Sequence, residues 1–294
     1  MRALDGLEFR SGYWDDRQAT ERFKQLLVTI HGLDLSLWEQ KGYWDHENYI
    51  AFSLFEGDRI VATTNLFSME MQVEGRRVRL GQFSGVGTLR EFRRRGLNRW
   101  LTEQALKWAT PNHDGFFLFA DHDAIPFYDR CGFEPLQETI STLTVERPAP
   151  RPGLRRLDPD NDVDLARIHG LARRRDPVSG RLGAWAENLL MFHCLYTLRN
   201  DLYYLPELDV AVFFRTENGR LTLFDVVGPQ VPAFDDLHPF LSEEPHTEVR
   251  FHFMPDKMKV DPDRKTTLQD SNAHIYQPLR MPGPDCLLPY CSHA

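Results

Sequence analysis

Residues 80–98 read LGQFSGVGTLREFRRRGLN, and the order of residue types in this stretch predicts the fold around it. The first part, 80–88, has the apolar positions of a buried strand that loosens at its glycines. A short basic loop and Gly96 follow, and then a segment whose apolar residues return at helical spacing. These apolar residues are Leu97, Leu101, Ala105 and Trp108. We therefore expect a strand, a basic loop, a glycine and an amphipathic helix in this order.

This order suits the binding of an anion. The first turn of a helix presents unpaired backbone N–H groups and the positive end of the helix dipole. Gly96 at the entry lets an anion approach the backbone, and Arg93, Arg94 and Arg95 add charge-assisted hydrogen bonds. A pyrophosphate fits this description. The alternative is that the arginines form a solvated charge run and that Gly96 is only a turn.

A second informative stretch, residues 116–133, reads FFLFADHDAIPFYDRCGF. Its apolar start predicts a buried strand, and the acidic residues after it predict a polar loop. Ile125 to Arg130 then has the composition of a short helix, which Gly132 and Phe133 end.

Together the two stretches resemble the GNAT superfamily of N-acetyltransferases. The pattern Arg93-x-x-Gly96-x-Asn98 resembles their acyl-CoA signature, Gln/Arg-x-x-Gly-x-Gly/Ala. The pattern Phe127-Tyr128-Asp129-x-x-Gly132-Phe133 resembles their next segment, Phe/Leu-Tyr-x-x-x-Gly-Phe. The chain departs from the signature at Asn98, where Gly or Ala is usual. This larger side chain either crowds the pyrophosphate, caps the helix or donates a hydrogen bond.

The resemblance implies an α/β GNAT fold, with a mixed, mostly antiparallel sheet flanked by helices, and acetyl-CoA as the acyl donor. The implied acetyl-CoA site comprises Gly85, Val86, Gly87, Arg93, Arg94, Arg95, Gly96, Leu97 and Asn98. Two of the implied roles are catalytic. The backbone N–H near Val86 would polarise the thioester carbonyl, and Tyr128 would donate a proton to the leaving thiolate. The alternative for Tyr128 is a core aromatic residue on an amphipathic helix.

The general base is left open by the sequence. Many relatives place a glutamate on the strand before the pyrophosphate loop, but residues 79–88 contain no carboxylate and Gln82 cannot take a proton. Deprotonation through water by Glu70, Asp121, His122 or Asp123 is one alternative. Another comes from tandem GNAT relatives that acetylate aminoglycosides with the chain's terminal carboxylate, which here would require residues 289–294 to fold back.

The proline-rich segment at 147–153 predicts a linker between two domains, as the length of 294 residues also suggests. We expect a catalytic GNAT domain at 1–147, a linker at 148–153, and a degenerate GNAT-like domain with a tail at 154–294. Both halves show the order helix, helix, hairpin. The predicted helices are 20–30, 35–40, 163–174 and 182–198, and the predicted hairpins are 49–55 with 59–66 and 209–215 with 220–227.

Composition limits the classes of protein. The net charge of −8 argues against a dedicated nucleic-acid binder. No apolar run approaches the ~20 residues that span a bilayer, and Glu8, Arg10 and Asp15 interrupt any signal-like start, so a cytoplasmic location is expected. The spacing of the four cysteines predicts no metal site.

The expected reaction is transfer of an acetyl group to a primary amine of a small molecule or peptide by direct attack in a ternary complex. A homodimer is possible. Aromatic and acidic residues that would suit a cationic acceptor are Trp38, Tyr43, Trp44, Asp45, His46 and Glu47, with a core segment as the alternative. Two competing functions are a non-catalytic acyl-CoA-binding or scaffold protein and a tandem GNAT aminoacyl transferase.

Overall fold

The computed structural model describes residues 4, 6–269, 271–276, 279–283 and 285–294. Its helices are α1 (Arg17–His31), α2 (Ser36–Gln40), α3 (Leu97–Ala109), α4 (Ile125–Arg130), α5 (Asp162–Ala172), α6 (Glu187–Leu195) and α7 (Phe234–Leu237). The Asp16 side chain caps α1 by accepting hydrogen bonds from the N–H groups of Gln18 and Ala19, and Gly32 ends it with a left-handed backbone. Leu97, Leu101 and Ala105 of α3 are buried as predicted, whereas Trp108 is 49% exposed at the rim.

The first sheet is mixed. Its strands are β1 (Glu8–Ser11), β2 (Tyr49–Glu56), β3 (Arg59–Val73), β4 (Arg76–Thr88), β5 (Gly115–Phe119), β6 (Phe133–Pro135), β9 (Leu182–Trp185) and β15 (Ala273–Tyr276). They lie in the order β1-β2-β3-β4-β5-β15-β6, and β9 pairs with the far end of β3. Helix α3 makes the crossover between the parallel strands β4 and β5, while the other pairs are antiparallel.

The second sheet repeats this pattern. Its strands are β7 (Thr139–Thr144), β8 (Arg155–Arg156), β10 (Leu202–Leu205), β11 (Val210–Glu217), β12 (Arg220–Val227), β13 (Glu248–Phe251) and β14 (Arg264–Thr267). They lie in the order β14-β7-β13-β12-β11-β10-β8. The hairpin β11–β12 is followed by the parallel strand β13, as β3–β4 is followed by β5. The α/β architecture of two mixed sheets flanked by helices is confirmed.

Strands cross between the two halves of the chain. Strand β7 precedes the proline-rich segment but lies in the second sheet between β13 and β14. Strand β15 comes from the second half but lies in the first sheet between β5 and β6. The sheets therefore do not divide at 148–153, and the division of the chain into domains at this segment stays a prediction.

The prediction of a helix at 182–198 is wrong for residues 182–185. Leu182–Trp185 form strand β9, and helix α6 covers only Glu187–Leu195. Strand β9 pairs with Glu70–Val73 of β3, a part of β3 that extends beyond the end of β2. The N–H and C=O groups on this edge of β3 form hydrogen bonds with residues 182–185. These hydrogen bonds favour a strand there although the local apolar spacing favours a helix.

One apolar core joins the two halves. It contains buried residues of both sheets and of α1, α2, α5 and α6, and the opposite face of the second sheet forms a smaller core. Trp38 of α2 shows the contact directly, because its indole N–H donates to the carbonyl of Asn188 at 2.9 Å and its backbone N–H donates to the hydroxyl of Tyr196 at 3.1 Å. The second half thus supports the helices that lie over the first sheet.

Candidate functional site

Strand β4 leaves strand β5 at the centre of the first sheet. The two strands pair from Leu80 opposite Gly115 to Phe83 opposite Leu118, and β4 then continues to Thr88 beside β3 alone. The β5-facing edge of residues 84–88 is therefore open. An open edge of this kind presents main-chain N–H groups to a ligand instead of to a strand.

A β-bulge lies at this opening. Thr63 pairs with Gly87 and Asn65 with Ser84, so that Gly85 and Val86 of β4 both lie opposite Thr64. Gly85 has a φ of 53°, and a Cβ there would lie 2.7 Å from Nδ2 of Asn65. Both the left-handed backbone and the close contact require glycine at this position.

The N-terminus of α3 has no side-chain cap. Gly96 precedes the helix with a φ of 78°, and open space surrounds the position where its Cβ would be. The side chain of Leu97 is buried in the core, so this residue offers only its backbone N–H group to a ligand. Among the described residues, the first turn of α3 is therefore an open set of N–H donors of the kind that binds phosphate.

The three arginines before Gly96 differ in their contacts. Nε of Arg93 donates to the carbonyl of Thr88 at 3.1 Å, which ties the loop to the end of β4. Arg94 has a φ of 64° and an exposed side chain. The guanidinium of Arg95 lies 5.3 Å from the centre of the Phe92 ring.

The side chain of Asn98 does not cap α3. Its buried Oδ1 has no hydrogen-bond partner among the described residues. The geometry therefore does not support helix capping, which is one of the three alternatives for Asn98. Crowding of a pyrophosphate and donation of a hydrogen bond to it stay predictions.

Tyr128 is buried on α4. Only 6% of the residue is exposed, and its ring lies against those of Phe127 and Phe133, at centroid distances of 4.9 and 5.9 Å. Burial raises the pKa of Tyr128 above its ordinary value. Like an ordinary tyrosine, the phenol is protonated at neutral pH, and burial makes it a weaker acid.

The candidate bases lie in three places. Asp121, His122 and Asp123 follow the end of β5, on the other side of the opening from Val86, and all three are exposed. Glu70 pairs with Arg79, seven positions along β4 from Val86, or roughly 23 Å at ~3.3 Å per residue. It also accepts a hydrogen bond from Nε of Arg77 at 3.1 Å. Glu70 is thus far from the bulge.

The tail folds back onto β4. The backbone N–H of Ala294 donates to Oε1 of Gln82 at 2.9 Å, and the ring of His293 lies 3.8 Å from that of Phe119 on β5, centre to centre. The ring of His193 on α6 donates through Nε2 to the carbonyl of His293 at 2.9 Å. The last residues therefore lie beside the same strands that diverge at the bulge, which is the placement that the tail hypothesis requires.

Sequence reasoning missed two residues at the bulge. Asn65 of β3 donates through Nδ2 to the carbonyls of Ser84 and Gly85, at 3.1 and 3.0 Å. His31, at the end of α1, faces the carbonyls of Gly85 and Val86, and burial lowers its pKa. Neither residue lies in a recognisable motif, because each reaches the bulge only through the pairing of strands and the packing of α1.

The proposed acceptor-binding segment is only partly buried, and its two tryptophans are the residues that lie in the core. Trp38 and Trp44 are 2% and 7% exposed, and Asp45 accepts hydrogen bonds from the backbone N–H groups of Glu47 and Asn48. The geometry therefore favours the core alternative for the aromatic residues. Asp45 also lines a cavity of about 460 Å³ between β3 and the second half, whose other charged lining residues are Glu70, Arg77, Arg79, Arg173, Arg174, Arg175 and Glu187.

Two further structural findings concern the residues that the structure describes. No group of three or more His, Cys, Asp or Glu side chains among them is arranged to hold a metal ion. In the same part of the chain, no helix combines the length and the apolar character needed to cross a membrane.

The comparisons agree with this geometry. Residues 21–136 match the family model of the acetyltransferase (GNAT) domain. This part of the chain, less than half of its 294 residues, is therefore similar in sequence to GNAT acetyltransferase domains. A search of curated proteins finds no match to the chain.

Several solved structures share the fold along almost the whole chain. One is a protein of unknown function from Enterococcus faecalis V583, described as a probable N-acyltransferase. It is 13% identical with a TM-score of 0.61, and the match covers 92% of this chain and 71% of the Enterococcus chain. A GCN5-related N-acetyltransferase from Kribbella flavida is 16% identical with a TM-score of 0.57, at 92% and 71% coverage. Eis1 from Mycobacterium abscessus is 15% identical with a TM-score of 0.57, at 92% and 73% coverage. At these identities the likeness concerns the fold alone.

Proposed function

We propose that the protein transfers an acetyl group from acetyl-CoA to a primary amine of a small molecule or peptide, by direct attack in a ternary complex. The observation that carries this proposal is the opening between β4 and β5 at the Gly85–Val86 bulge, next to the uncapped start of α3. The opening presents main-chain donors to an acyl group, and α3 presents donors to a pyrophosphate.

The residues at the opening fit acetyl-CoA. Open space around Gly96 supports close approach of phosphate oxygens to the N–H groups of Leu97 and Asn98. Arg93 and Arg94 flank this position and supply positive charge. Gly85 and Gly87 supply the main chain along which the pantetheine arm would lie. When bound, acetyl-CoA supplies an activated thioester carbonyl.

In the proposed reaction, Val86 and Tyr128 act on opposite sides of the bond that breaks. The amine nitrogen forms a bond to the thioester carbonyl carbon, and the carbonyl oxygen takes up the negative charge. The N–H of Val86 stabilises this oxygen, a contribution of about 3 kcal/mol for one such donor. The carbon–sulfur bond then breaks, and Tyr128 gives its proton to the departing thiolate.

The base that takes the proton of the amine has two proposed sources. One is a water molecule that passes the proton to the loop at Asp121–Asp123, across the opening from Val86. The other is the tail at Ala294, which lies at Gln82, four positions before Val86 on β4. Glu70 is no longer proposed because of its distance along the strand. A terminal carboxylate as the base stays a prediction.

The first experiment is a thermal melt with and without acetyl-CoA for the wild type, Gly96→Glu and Gly219→Glu. Gly219 is the matched control, because it also has a positive φ and open surroundings but lies in the β11–β12 turn. Acetyl-CoA at ~100 times its dissociation constant should stabilise the wild type by about 2.7 kcal/mol. The shift should persist in Gly219→Glu and vanish in Gly96→Glu.

Turnover is then measured as release of free CoA thiol with a broad panel of primary amines. Acetylation of at least one amine supports the proposed reaction. A melting shift without acetylation of any amine would favour a non-catalytic acyl-CoA-binding protein. No shift in the wild type would contradict the acetyl-CoA site itself.

A further inference from the structure

A chain of buried polar side chains crosses the first sheet and ends at the bulge. The hydroxyl of Tyr13 lies 2.7 Å from Oγ of Ser53, and this oxygen lies 2.9 Å from Oγ1 of Thr63. Oγ1 of Thr63 donates to Oδ1 of Asn65 at 2.8 Å, and Nδ2 of Asn65 donates to Ser84 and Gly85. Ser53, Thr63 and Asn65 are fully buried, and Tyr13 is 6% exposed. We call these four residues the relay.

The direction of the hydrogen bonds in the relay follows from the number of hydrogens. A hydroxyl group has one hydrogen to donate. Thr63 gives its hydrogen to Oδ1 of Asn65 at 2.8 Å in preference to the more distant carbonyl of Phe52 at 3.4 Å. It therefore accepts from Ser53, and Ser53 in turn accepts from Tyr13. Burial raises the pKa of Tyr13, which keeps its hydroxyl protonated and able to start this chain. Every bond in the relay therefore points toward the carbonyls of β4, and bonds aligned in this way polarise one another.

The relay determines the direction of one peptide group. The peptide bond between Gly85 and Val86 is planar and trans, so its C=O and N–H point in opposite directions. Asn65 holds the C=O of Gly85 on the β3 side of the strand. The N–H of Val86 therefore points away from β3, toward the opening where β4 has left β5. Asn65 is the partner that β3 supplies to this bulged peptide, and His31 of α1 faces the same carbonyl from the helix side.

We propose that Asn65 is a positioning residue for acyl transfer, which orients the Val86 N–H toward the thioester oxygen through its hydrogen bond to the Gly85 carbonyl. Thr63, Ser53 and Tyr13 hold the Asn65 amide with its NH₂ group facing β4. This inference rests on the proposed function, because it takes Val86 as the donor to the acyl oxygen. It extends that function to a residue on a neighbouring strand that touches neither substrate.

The test compares Asn65→Leu, Thr63→Val and the control Ser242→Ala in the full chain. Ser242 is also fully buried and donates to the carbonyl of His238 at 2.7 Å, on the second-sheet side. In Asn65→Leu, kcat should fall about 100-fold, as for a donor misplaced by about 1 Å, while the Kd of CoA changes less than threefold. Thr63→Val should lower kcat about three- to tenfold, because Asn65 keeps its own donors. Ser242→Ala should leave kcat unchanged.

Two outcomes would overturn the proposal. One is an unchanged kcat in folded Asn65→Leu. The other is a loss of CoA affinity as large as the loss of kcat, which would indicate a general collapse of β4. Should Asn65→Leu fail to fold, Thr63→Val decides, and an unchanged kcat in that variant counts against the relay.

A second readout separates this inference from the proposed reaction. The amide resonance of Val86 in ¹⁵N-labelled protein, with and without CoA, reports a change in the hydrogen bonding and surroundings of its N–H without any turnover. If no amine is acetylated by the wild type, the reaction is wrong. The control of the Val86 peptide by the relay is still supported if the Val86 resonance moves in Thr63→Val and stays in place in Ser242→Ala, and it is overturned if both variants leave it in place.

Discussion

Tyr128 and Asn65 illustrate two ways in which a single buried side chain is proposed to serve this site. Tyr128 was identified from a sequence motif, and burial raises the pKa of its phenol. Asn65 lies in a strand with no motif, and its partners are 19 and 20 positions away in the chain. At the scale of the residue, the sequence therefore predicted Tyr128, which lies within a motif. It missed Asn65, whose hydrogen bonds connect two neighbouring strands.

Replacing Tyr128 by Phe should lower kcat by at least about 100-fold, because the variant keeps the ring and loses the proton that the thiolate needs. The melting shift with acetyl-CoA should remain. Tyr276→Phe is the matched control, since Tyr276 also packs against Phe133, with ring centres 5.2 Å apart. Equal activity of Tyr128→Phe and the wild type would instead support the alternative that Tyr128 is only a core aromatic residue.

Replacing His193 by Gln should flatten the dependence of stability on pH. Burial lowers the pKa of His193 to about 4, from an ordinary value of 6.5. Below pH 6.5 the unfolded chain takes up a proton that the folded chain resists, so stability is full above pH 6.5 and is lost as pH falls toward 4. His293 and His252, with pKa values lowered by burial to about 3 and about 4, act in the same direction.

The measurement is a pair of thermal melts at pH 7 and pH 5. In the wild type, His193 should account for a loss of about 2 kcal/mol between these values. Gln keeps a donor for the His293 carbonyl and does not titrate, so the loss should be smaller in the variant. His122→Gln, at an exposed position, is the control. A wild-type slope in His193→Gln would show that His193 does not carry this dependence.

At the scale of the element, local patterns predicted α1, α3 and α5 and the two hairpins closely. These elements combine helical or alternating spacing with capping and turn residues, and all of these signals are local. Strand β9 was missed because its structure depends on the free edge of β3. The strands predicted at 59–66 and 80–88 were too short, because β3 continues to Val73 and β4 begins at Arg76, joined by a turn at Glu74 and Gly75 that the sequence analysis did not predict.

The tail is the element whose removal tests the acceptor side of the site. Deleting 292–294 removes the hydrogen bonds between Ala294 and Gln82 and the contact of His293 with Phe119. We expect turnover to fall at least tenfold while acetyl-CoA still raises the melting temperature, because α3 is untouched. Full turnover after the deletion would dispose of any role for the tail in catalysis.

At the scale of the whole molecule, the exchange of β7 and β15 ties the two halves together. Each strand forms hydrogen bonds on both sides within the sheet of the other half. The linker itself is also held, since Nε of Arg147 donates to the carbonyl of Ser242 at 3.0 Å and the N–H of Arg151 donates to that of Pro239 at 3.0 Å. We therefore infer that the halves depend on each other for folding.

Cleavage at the linker tests this dependence. A protease site inserted between Ala149 and Pro150, both exposed, allows the folded protein to be cut there. The two fragments should elute together on gel filtration in native buffer and separate only in denaturant, because the exchanged strands stay in place. Uncut protein with the same insertion is the control. Fragments that separate without denaturant would instead support independent domains divided at 148–153.

What the sequence alone determined is the stretch at 80–98 and its partner at 116–133. Strand, glycine and helix start are encoded by neighbouring residues, and the chemistry of a helix N-terminus needs no distant partner. Only the tertiary structure decided which strand enters which sheet, where the tail lies and what orients the Val86 peptide. The N–H and C=O groups of strand edges and the buried donors form hydrogen bonds with partners far away in the chain, and no local sequence pattern predicts those partners.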